Sequence, residues 1–220
     1  MGKRRRETKM RGKMGYPRNI SVETQAGDWL VLRETDGQWS CKEKGIVVEL
    51  AGTEEEFQVV LSSPEEAVSR VQLSWENTFP ADALYLGDAF ERGYGTLRFE
   101  TLNPEALYHG YFMASCQGTD ACCGVKTQPD ALCAWTVNCQ SVDLWMDVRN
   151  GTLPLALGER KLAAATVLLR EYAGDSFENL RCFCKEMSQK ECAFTEPVIG
   201  GNDWYYAYGD NSRELILRNC

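Results

Sequence analysis

The 220-residue sequence lacks several features on which common protein functions depend. It has one histidine, His109, and no C-x-x-C pair, so a Cys/His zinc site could draw on one imidazole at most. No run approaches the ~18 apolar residues that a membrane span needs. After the basic run at residues 3–6 the chain continues with Glu7, Thr8 and Lys9, where a signal peptide would have an apolar core. We therefore predict a cytoplasmic protein without membrane contact, metal or cofactor.

Positive charge is scarce outside the first 18 residues. That segment holds eight Lys or Arg and one acid, whereas the other 202 residues hold 16 basic and 31 acidic ones, a net charge near -15. Because such a body repels polyanions, we predict no nucleic-acid partner. The basic segment could be an arm for nucleic acid or a membrane surface, but Tyr16 is its one aromatic residue and it has no helical apolar face. We predict residues 1–18 to be a disordered tail.

The ten cysteines have no spacing that identifies a metal or redox motif. In a reducing cytosol they are expected to be mostly reduced thiols, and many would serve as small core residues. A thiol-dependent metal or redox protein stays open as one hypothesis. It would use the cysteines between Cys116 and Cys139.

Most of the body has the pattern of short strands between turns, which is typical of a β-sandwich. Val71, Leu73 and Trp75 alternate with polar residues, which predicts a strand with one buried face. Residues 46–50 and 57–61 are predicted strands on either side of a solvated acidic turn at 53–56. Asn150-Gly151, between residues 142–148 and 153–157, predicts a hairpin with a type I′ turn.

The pattern changes after Gly174. Asp175 and Glu178 have the spacing of a capping box, which predicts a helix. Its apolar stripe is predicted to consist of Phe177, Leu180, Cys184 and Met187. Residues 196–199 then resemble a short strand, 200–209 a polar and aromatic loop, and the residues after Asn211 a helix capped by that residue. This order is one β/α unit.

The predicted fold class is mainly β. A basic tail (1–18) precedes a large antiparallel β-sandwich (19–172), a linker helix (173–193) and a truncated first β/α unit of a (β/α)8 barrel (194–220). A barrel typically takes ~250 residues, so one β/α unit cannot close it. Its unpaired strand could allow self-association.

Two segments resemble the α-galactosidase-like glycoside hydrolases, the melibiase clan. The first is Leu86-Gly87-Asp88-Ala89-Phe90-Glu91-Arg92-Gly93-Tyr94-Gly95, which is similar to a Gly-Asp-x-x-Glu-Arg-x-Tyr-Gly segment of that family's N-terminal sandwich. The second is Gly200-Gly201-Asn202-Asp203-Trp204-Tyr205-Tyr206-Ala207-Tyr208-Gly209, which is similar to its first barrel strand and loop. The hairpin around Asn150-Gly151 is similar to its late sandwich strands.

The resemblance implies a retaining hydrolase of α-galactosides or related α-glycosides. Its two catalytic carboxylates belong to the fourth and sixth barrel strands, so no catalytic residue is expected here and the chain alone is expected to be inactive. Carbohydrate is the expected partner of the full-length parent. The residues that the resemblance assigns to substrate binding are Asp203, Trp204, Asn202, Asp88 and Arg92.

Each assignment has a structural alternative. Asp203 and Trp204 could cap a loop and close a barrel, and Arg92 could pair with Asp88 to hold a turn. Tyr108, Tyr111 and Phe112 could form a carbohydrate-binding surface or belong to the core. For the whole chain, the alternative is a non-catalytic carbohydrate-binding or structural β-sandwich protein.

Overall fold

A computed structural model describes residues 14–88, 98–189, 196–197, 200, 202 and 204–219. The chain divides into two compact units, Met1–Gln189 and Lys190–Cys220. The predicted barrel strand at 198–199 lies outside the described residues, and the barrel fragment stays a prediction.

Strands account for most of the first unit. Those within the described ranges are β1 (Asn19–Thr24), β2 (Trp29–Val31), β3 (Arg33–Thr35), β4 (Gln38–Cys41), β5 (Ile46–Thr53), β6 (Glu56–Ser62), β7 (Val68–Glu76), β8 (Leu84–Gly87), β9 (Glu100–Thr101), β10 (Tyr108–His109), β11 (Tyr111–Cys116), β12 (Thr119–Val125), β13 (Leu132–Val137), β14 (Ser141–Asp147) and β15 (Lys161–Ala173). A 3-10 turn covers Lys42–Lys44, and the α-helices are α1 (Ser176–Met187), α2 (Trp204–Ala207) and α3 (Arg213–Asn219).

The strands form two antiparallel sheets. One has six strands in the order β10-β13-β14-β7-β1-β2, and the other has nine in the order β3-β4-β5-β6-β15-β12-β11-β8-β9. The nine-stranded sheet includes pairing between strands that are far apart in the sequence. In it β6 lies beside β15, with Ser62 opposite Lys161. The sheets enclose one large core, which confirms the predicted β-sandwich. Its largest fully buried side chains include Ile20, Phe57, Phe112, Trp135 and Leu144.

Period-two alternation places side chains in this core. In β7, Val71 and Leu73 are fully buried and Trp75 nearly so, while the polar residues between them are only partly buried. This confirms the alternation predicted for that strand. The indole of Trp75 donates a hydrogen bond to the carbonyl of Gly15 at 2.8 Å, so part of the segment assigned to the tail contacts the sandwich. Met14 packs against the same core.

The acidic turn is shorter than predicted. Only Glu54 and Glu55 lie between β5 and β6, because Thr53 ends one strand and Glu56 begins the next. Glu56 is not simply solvated, since its carboxylate accepts hydrogen bonds from Lys126 Nζ at 2.5 Å and from Arg170 at 3.0 Å.

The predicted hairpin around Asn150-Gly151 is only partly correct. Asn150 and Leu153 exchange backbone hydrogen bonds of 3.0 and 3.2 Å, so the two central turn residues are Gly151 and Thr152. Gly151 has φ 63°, but Asn150 is the first residue of the turn and not one of its two central residues. The residues after it do not pair with β14, which lies between β13 and β7. Leu155 instead forms a bridge with Val68.

Helix α1 begins as predicted, with Asp175 Oδ1 accepting from the backbone N–H of Glu178 at 3.0 Å. The predicted apolar stripe is partly wrong, because Phe177 is 72% exposed and Phe183 is fully buried in its place. The helix packs on the outer face of the nine-stranded sheet. The helix and the sheet enclose a second, smaller core between them, which consists of Met113, Cys122, Leu168, Phe183 and Met187.

A glycine and a carboxylate explain why α1 fits there. A Cβ on Gly124 of β12 would lie 2.6 Å from Met187 Sδ and 2.8 Å from the Phe183 ring, so only glycine admits the helix at this distance. The fully buried Asp120 accepts hydrogen bonds from Ser176 Oγ at 3.0 Å and Asn179 Nδ2 at 2.7 Å. The helix predicted as a linker is therefore bound to the sheet along its length.

The described part of the second unit is largely helical. Asn202 Oδ1 accepts from the backbone N–H of Trp204 at 2.9 Å, where α2 begins. Helix α3 is capped by Ser212, whose Oγ accepts from Leu215 N–H at 3.2 Å, and not by Asn211 as predicted. No helix among the described residues is long and apolar enough to cross a membrane.

Candidate functional site: a cleft where the chain changes sheets

Between β10 and β11 the chain crosses from one sheet to the other within one residue. β10 belongs to the six-stranded sheet and β11 to the nine-stranded sheet, and Gly110 separates them. Gly110 has φ 77°, a left-handed conformation that glycine adopts without strain. Its carbonyl accepts from Val125 N–H at 3.0 Å and from the Trp135 indole at 3.2 Å, so this crossing is tied to both sheets.

A cleft of about 590 Å³ opens beside this crossing, within the size range of small-molecule sites. We call it the rim cleft. It is lined by Asp88, His109, Gly110, Tyr111, Val125, Lys126, Thr127, Pro129, Ala131, Leu132, Cys133, Cys184 and Met187. Polar groups and apolar side chains both contribute to this lining.

Asp88 is the predicted site residue that the structure places in the rim cleft. It follows β8 directly. Its N–H donates to the Tyr111 carbonyl and its carbonyl accepts from His109 N–H, both at 3.1 Å. These bonds fix the backbone of Asp88 against β10 and β11. Arg92, the second predicted residue of this segment, lies outside the described residues.

The far side of the rim cleft is held by the end of α1. Thr127 N–H donates to the Met187 carbonyl at 2.9 Å, and Thr127 accepts two bonds from Gln189, at its Oγ1 from the backbone N–H and at its carbonyl from Nε2. Lys126 also lines the rim cleft, and its ammonium group is paired with Glu56.

Three of the thiols of this region, Cys122, Cys123 and Cys133, are buried among apolar side chains. Burial raises the pKa of Cys133 to about 12, so it carries essentially no thiolate at neutral pH. Cys122 faces the helix core and Cys123 the sandwich core, and burial raises the pKa of both. Within the described ranges no group of three or more His, Cys, Asp or Glu could hold a metal ion. None of the eight cysteines described is in a disulfide.

Of the three aromatic residues considered for a carbohydrate-binding surface, two belong to the core and one lines the rim cleft. Phe112 is fully buried, and Tyr108 stacks on it with ring centroids 5.7 Å apart. Burial, with a smaller contribution from Glu100, raises the pKa of Tyr108. Tyr111 lines the rim cleft. The sequence pattern did not mark His109 as a functional residue. His109 comes to the cleft because it lies across Gly110 from Tyr111.

The remaining predicted residues lie in the second unit. Trp204 is 57% exposed, and its ring is 5.8 Å from that of Tyr208. Asn202 is exposed and uses its side-chain oxygen in the bond to Trp204. Asp203 lies outside the described residues. The structure therefore brings Asn202 and Trp204 together and leaves their role in substrate binding untested.

Comparison with known proteins adds no identification. No family model matches this chain. No curated protein matches it either.

Proposed function

We propose that this chain is the N-terminal β-sandwich part of an α-galactosidase-like glycoside hydrolase, and that it binds carbohydrate without cleaving it. The observation that carries the proposal is the position of Asp88. This residue of the Gly87-Asp88 motif lies in the rim cleft with His109 and Tyr111.

The chemistry of the rim cleft suits a sugar of the α-galactoside type. A carboxylate accepts hydrogen bonds from two neighbouring hydroxyls, imidazole and phenol can each donate or accept, and an aromatic face packs on C–H groups. Val125 and Met187 add apolar surface at the other side. The proposal gives the cleft no catalytic group, because the family's catalytic carboxylates belong to barrel strands. Asn202, Asp203 and Trp204 remain proposed substrate contacts of the barrel part.

The test is binding and turnover measured on the same preparation. We expect melibiose to shift NMR signals of residues around the rim cleft, and Asp88→Asn to weaken that binding about tenfold, as for loss of a charged hydrogen bond. Asp36→Asn, the same change in an exposed turn between β3 and β4, should have no effect. No hydrolysis of an aryl α-galactoside is expected. Melibiose that perturbs no cleft residue would refute the carbohydrate assignment.

A cytoplasmic location belongs to the same proposal. It is motivated by the eight described cysteines, none of which lies in a disulfide. Titration of thiols in denaturant without reductant should find eight or more reactive groups. A titre of about two or fewer would place the protein in an oxidising compartment instead.

The alternative function, a stand-alone carbohydrate-binding or structural sandwich, is favoured by a different observation. Two tryptophans, Trp29 and Trp145, lie together on the outer side of the six-stranded sheet.

A further inference from the structure

The outer side of the six-stranded sheet carries an ordered set of aromatic and polar side chains. In β14 the inward residues Val142, Leu144 and Met146 are fully buried, so the residues between them point away from the core. Strand register extends this outward set across the sheet. We call it the open face, and it consists of Ser21, Glu23, Trp29, Val31, Arg70, Gln72, Ser74, Leu132, Ala134, Thr136, Asp143, Trp145 and Asp147.

Two indoles form a corner on the open face. The rings of Trp29, on the edge strand β2, and Trp145, on the central strand β14, have centroids 5.7 Å apart and planes at 88°. Trp29 is 41% exposed. Trp145 is held in place by its Nε1–H, which donates to Thr136 Oγ1 at 2.9 Å. One indole therefore offers a face beside the edge of the other.

Fixed polar groups surround this corner. Gln72 Nε2 donates to Asp143 Oδ1 at 3.1 Å, and Ser141 Oγ donates to Asp143 Oδ2 at 2.6 Å. Arg70 pairs with Glu23 at 2.9 Å and approaches Asp147 at 3.5 Å. Because these side chains already hold one another, little conformational entropy remains to be lost when a ligand binds.

The charges of the open face select against ionic ligands. Two cations at this face are already paired, Arg70 with Glu23 and Asp147, and Arg149 with Asp147 at 2.6 Å. A polyanion would meet these carboxylates and cations that are already paired, and the body of the chain is strongly acidic. A protein partner would have to remove water from this whole polar set. Hydroxyl groups, in contrast, can replace that water one hydrogen bond at a time.

We propose that the open face is a binding site for a neutral oligosaccharide, with a sugar ring packed in the Trp29–Trp145 corner and its neighbours hydrogen-bonded along Gln72 and Ser74. From β13 to β2 the face spans four strand spacings, about 19 Å, which is longer than one sugar ring and fits a chain. The Trp29–Trp145 corner with Gln72 and Ser74 shares no residue with the rim cleft, although Leu132 belongs to both the open face and the cleft lining. The proposal does not rest on the family proposed above.

The experiment uses the whole chain and a panel of neutral hexasaccharides, namely the β-1,4-linked gluco, manno and xylo series and the α-1,4-linked gluco series. Binding is followed by calorimetry and by the indole N–H signals in NMR. We expect at least one series to shift the signals of Trp29 and Trp145. Trp29→Ala should lower its affinity about tenfold or more, the effect of losing one aromatic stacking contact.

Two control variants distinguish the open face from the rest of the surface. Phe177→Ala removes an aromatic side chain that is 72% exposed on α1, at the other sheet, and should leave the affinity unchanged. Asp88→Asn, which tests the rim cleft, should also leave it unchanged. A third variant, Thr136→Val, removes only the hydrogen bond of the Trp145 indole and should weaken binding less than Trp29→Ala does.

Three results would overturn the proposal. The first is that no hexasaccharide at millimolar concentration shifts either indole signal. The second is binding that Trp29→Ala and Thr136→Val leave unchanged. The third is a dimer in sedimentation that Trp29→Ala converts to a monomer, which would assign the open face to a second copy of the chain.

Discussion

The outer faces of the two sheets differ in how their aromatic residues are used. On the nine-stranded sheet, helix α1 covers Met113, Cys122 and Leu168, and Phe183 is fully buried against them. On the six-stranded sheet, Trp29 and Trp145 lie among ion pairs and hydrogen bonds, with Trp29 41% exposed. Burial explains the aromatic residue of the first face. It does not explain the exposed Trp29 of the second, which the ligand proposed above would cover.

The largest expected effect comes from the covered face. Phe183→Ala should lower the free energy of unfolding of the first unit by about 3–5 kcal/mol, because it removes a fully buried ring and leaves a cavity under α1. Urea denaturation followed by far-UV circular dichroism measures this. Phe177→Ala, on the same helix but 72% exposed, should cost less than about 0.5 kcal/mol. Similar losses for both would mean that α1 does not depend on its buried side.

A smaller loss is expected where the helix approaches the sheet. Gly124→Ala places a methyl group within 2.6–2.8 Å of Met187 and Phe183, so the helix must shift, at a cost of about 1–3 kcal/mol. Urea denaturation followed by far-UV circular dichroism measures this loss as well. In the double variant with Met187→Ala, the total loss of unfolding free energy should be smaller than the sum of the two single losses, because the sulfur that meets the new methyl group is gone. Strictly additive losses would show that the close approach is not the cause.

The ion pairs on the nine-stranded sheet should make the stability of the first unit sensitive to acid. The hydrogen bond from Lys126 lowers the pKa of Glu56 from its ordinary 4.5; partial burial opposes this, and Arg170 adds to the lowering. Because the folded-state pKa is below the unfolded one, the stabilisation is present above about pH 4.5 and is lost as the pH falls through the folded value.

Glu56→Gln should therefore flatten the acid side of the stability profile, by less than about 1 kcal/mol since the Glu56 side chain is 38% exposed. Unfolding midpoints in urea between neutral pH and about pH 3 measure the difference. Glu34→Gln, on the exposed strand β3, is the matched control. If the stability profile of Glu56→Gln is as steep as that of the unchanged protein, Glu56 does not cause the loss of stability in acid.

The smallest effect is expected on the open face. Trp29→Ala should change the free energy of unfolding by no more than about 0.5 kcal/mol, because the side chain is exposed on an edge strand. Chemical denaturation again provides the value. A loss comparable to that of Phe183→Ala would show that Trp29 is a folding residue, and the contrast between the two faces would disappear.

Local patterns in the sequence predicted the strands better than the surfaces. The alternation of Val71, Leu73 and Trp75 and the cap at Asp175 are both decided by neighbouring residues, and both are confirmed. The side of α1 that is buried depends on which sheet it meets. Helical spacing alone therefore could not distinguish Phe177 from Phe183, and the prediction of Phe177 was wrong.

The candidate sites depend on more distant pairing. Asp88 could be singled out by its motif, but His109 reaches the rim cleft because the chain changes sheets at Gly110. Lys126 reaches it because β12, which it follows, pairs with β11. The open face did leave a signal. Trp145 stands in the same period-two phase as Asp143 and Asp147, opposite in phase to the buried Leu144. A tryptophan in the polar phase of a strand indicates an aromatic residue on the outer side of the sheet, where Trp145 is half-buried.

The pairing of β6 with β15 also bears on how the chain is made. Strand β6 ends at Ser62, yet its partner begins at Lys161, about a hundred residues later in synthesis. The hairpin of β5 and β6 can form early, since its contacts are local. The other edge of β6 then stays unpaired until β15 has been synthesised, an interval in which it can pair with another nascent chain. Slow, aggregation-prone folding is the expected result, and chaperones that shield strand edges would act in that interval.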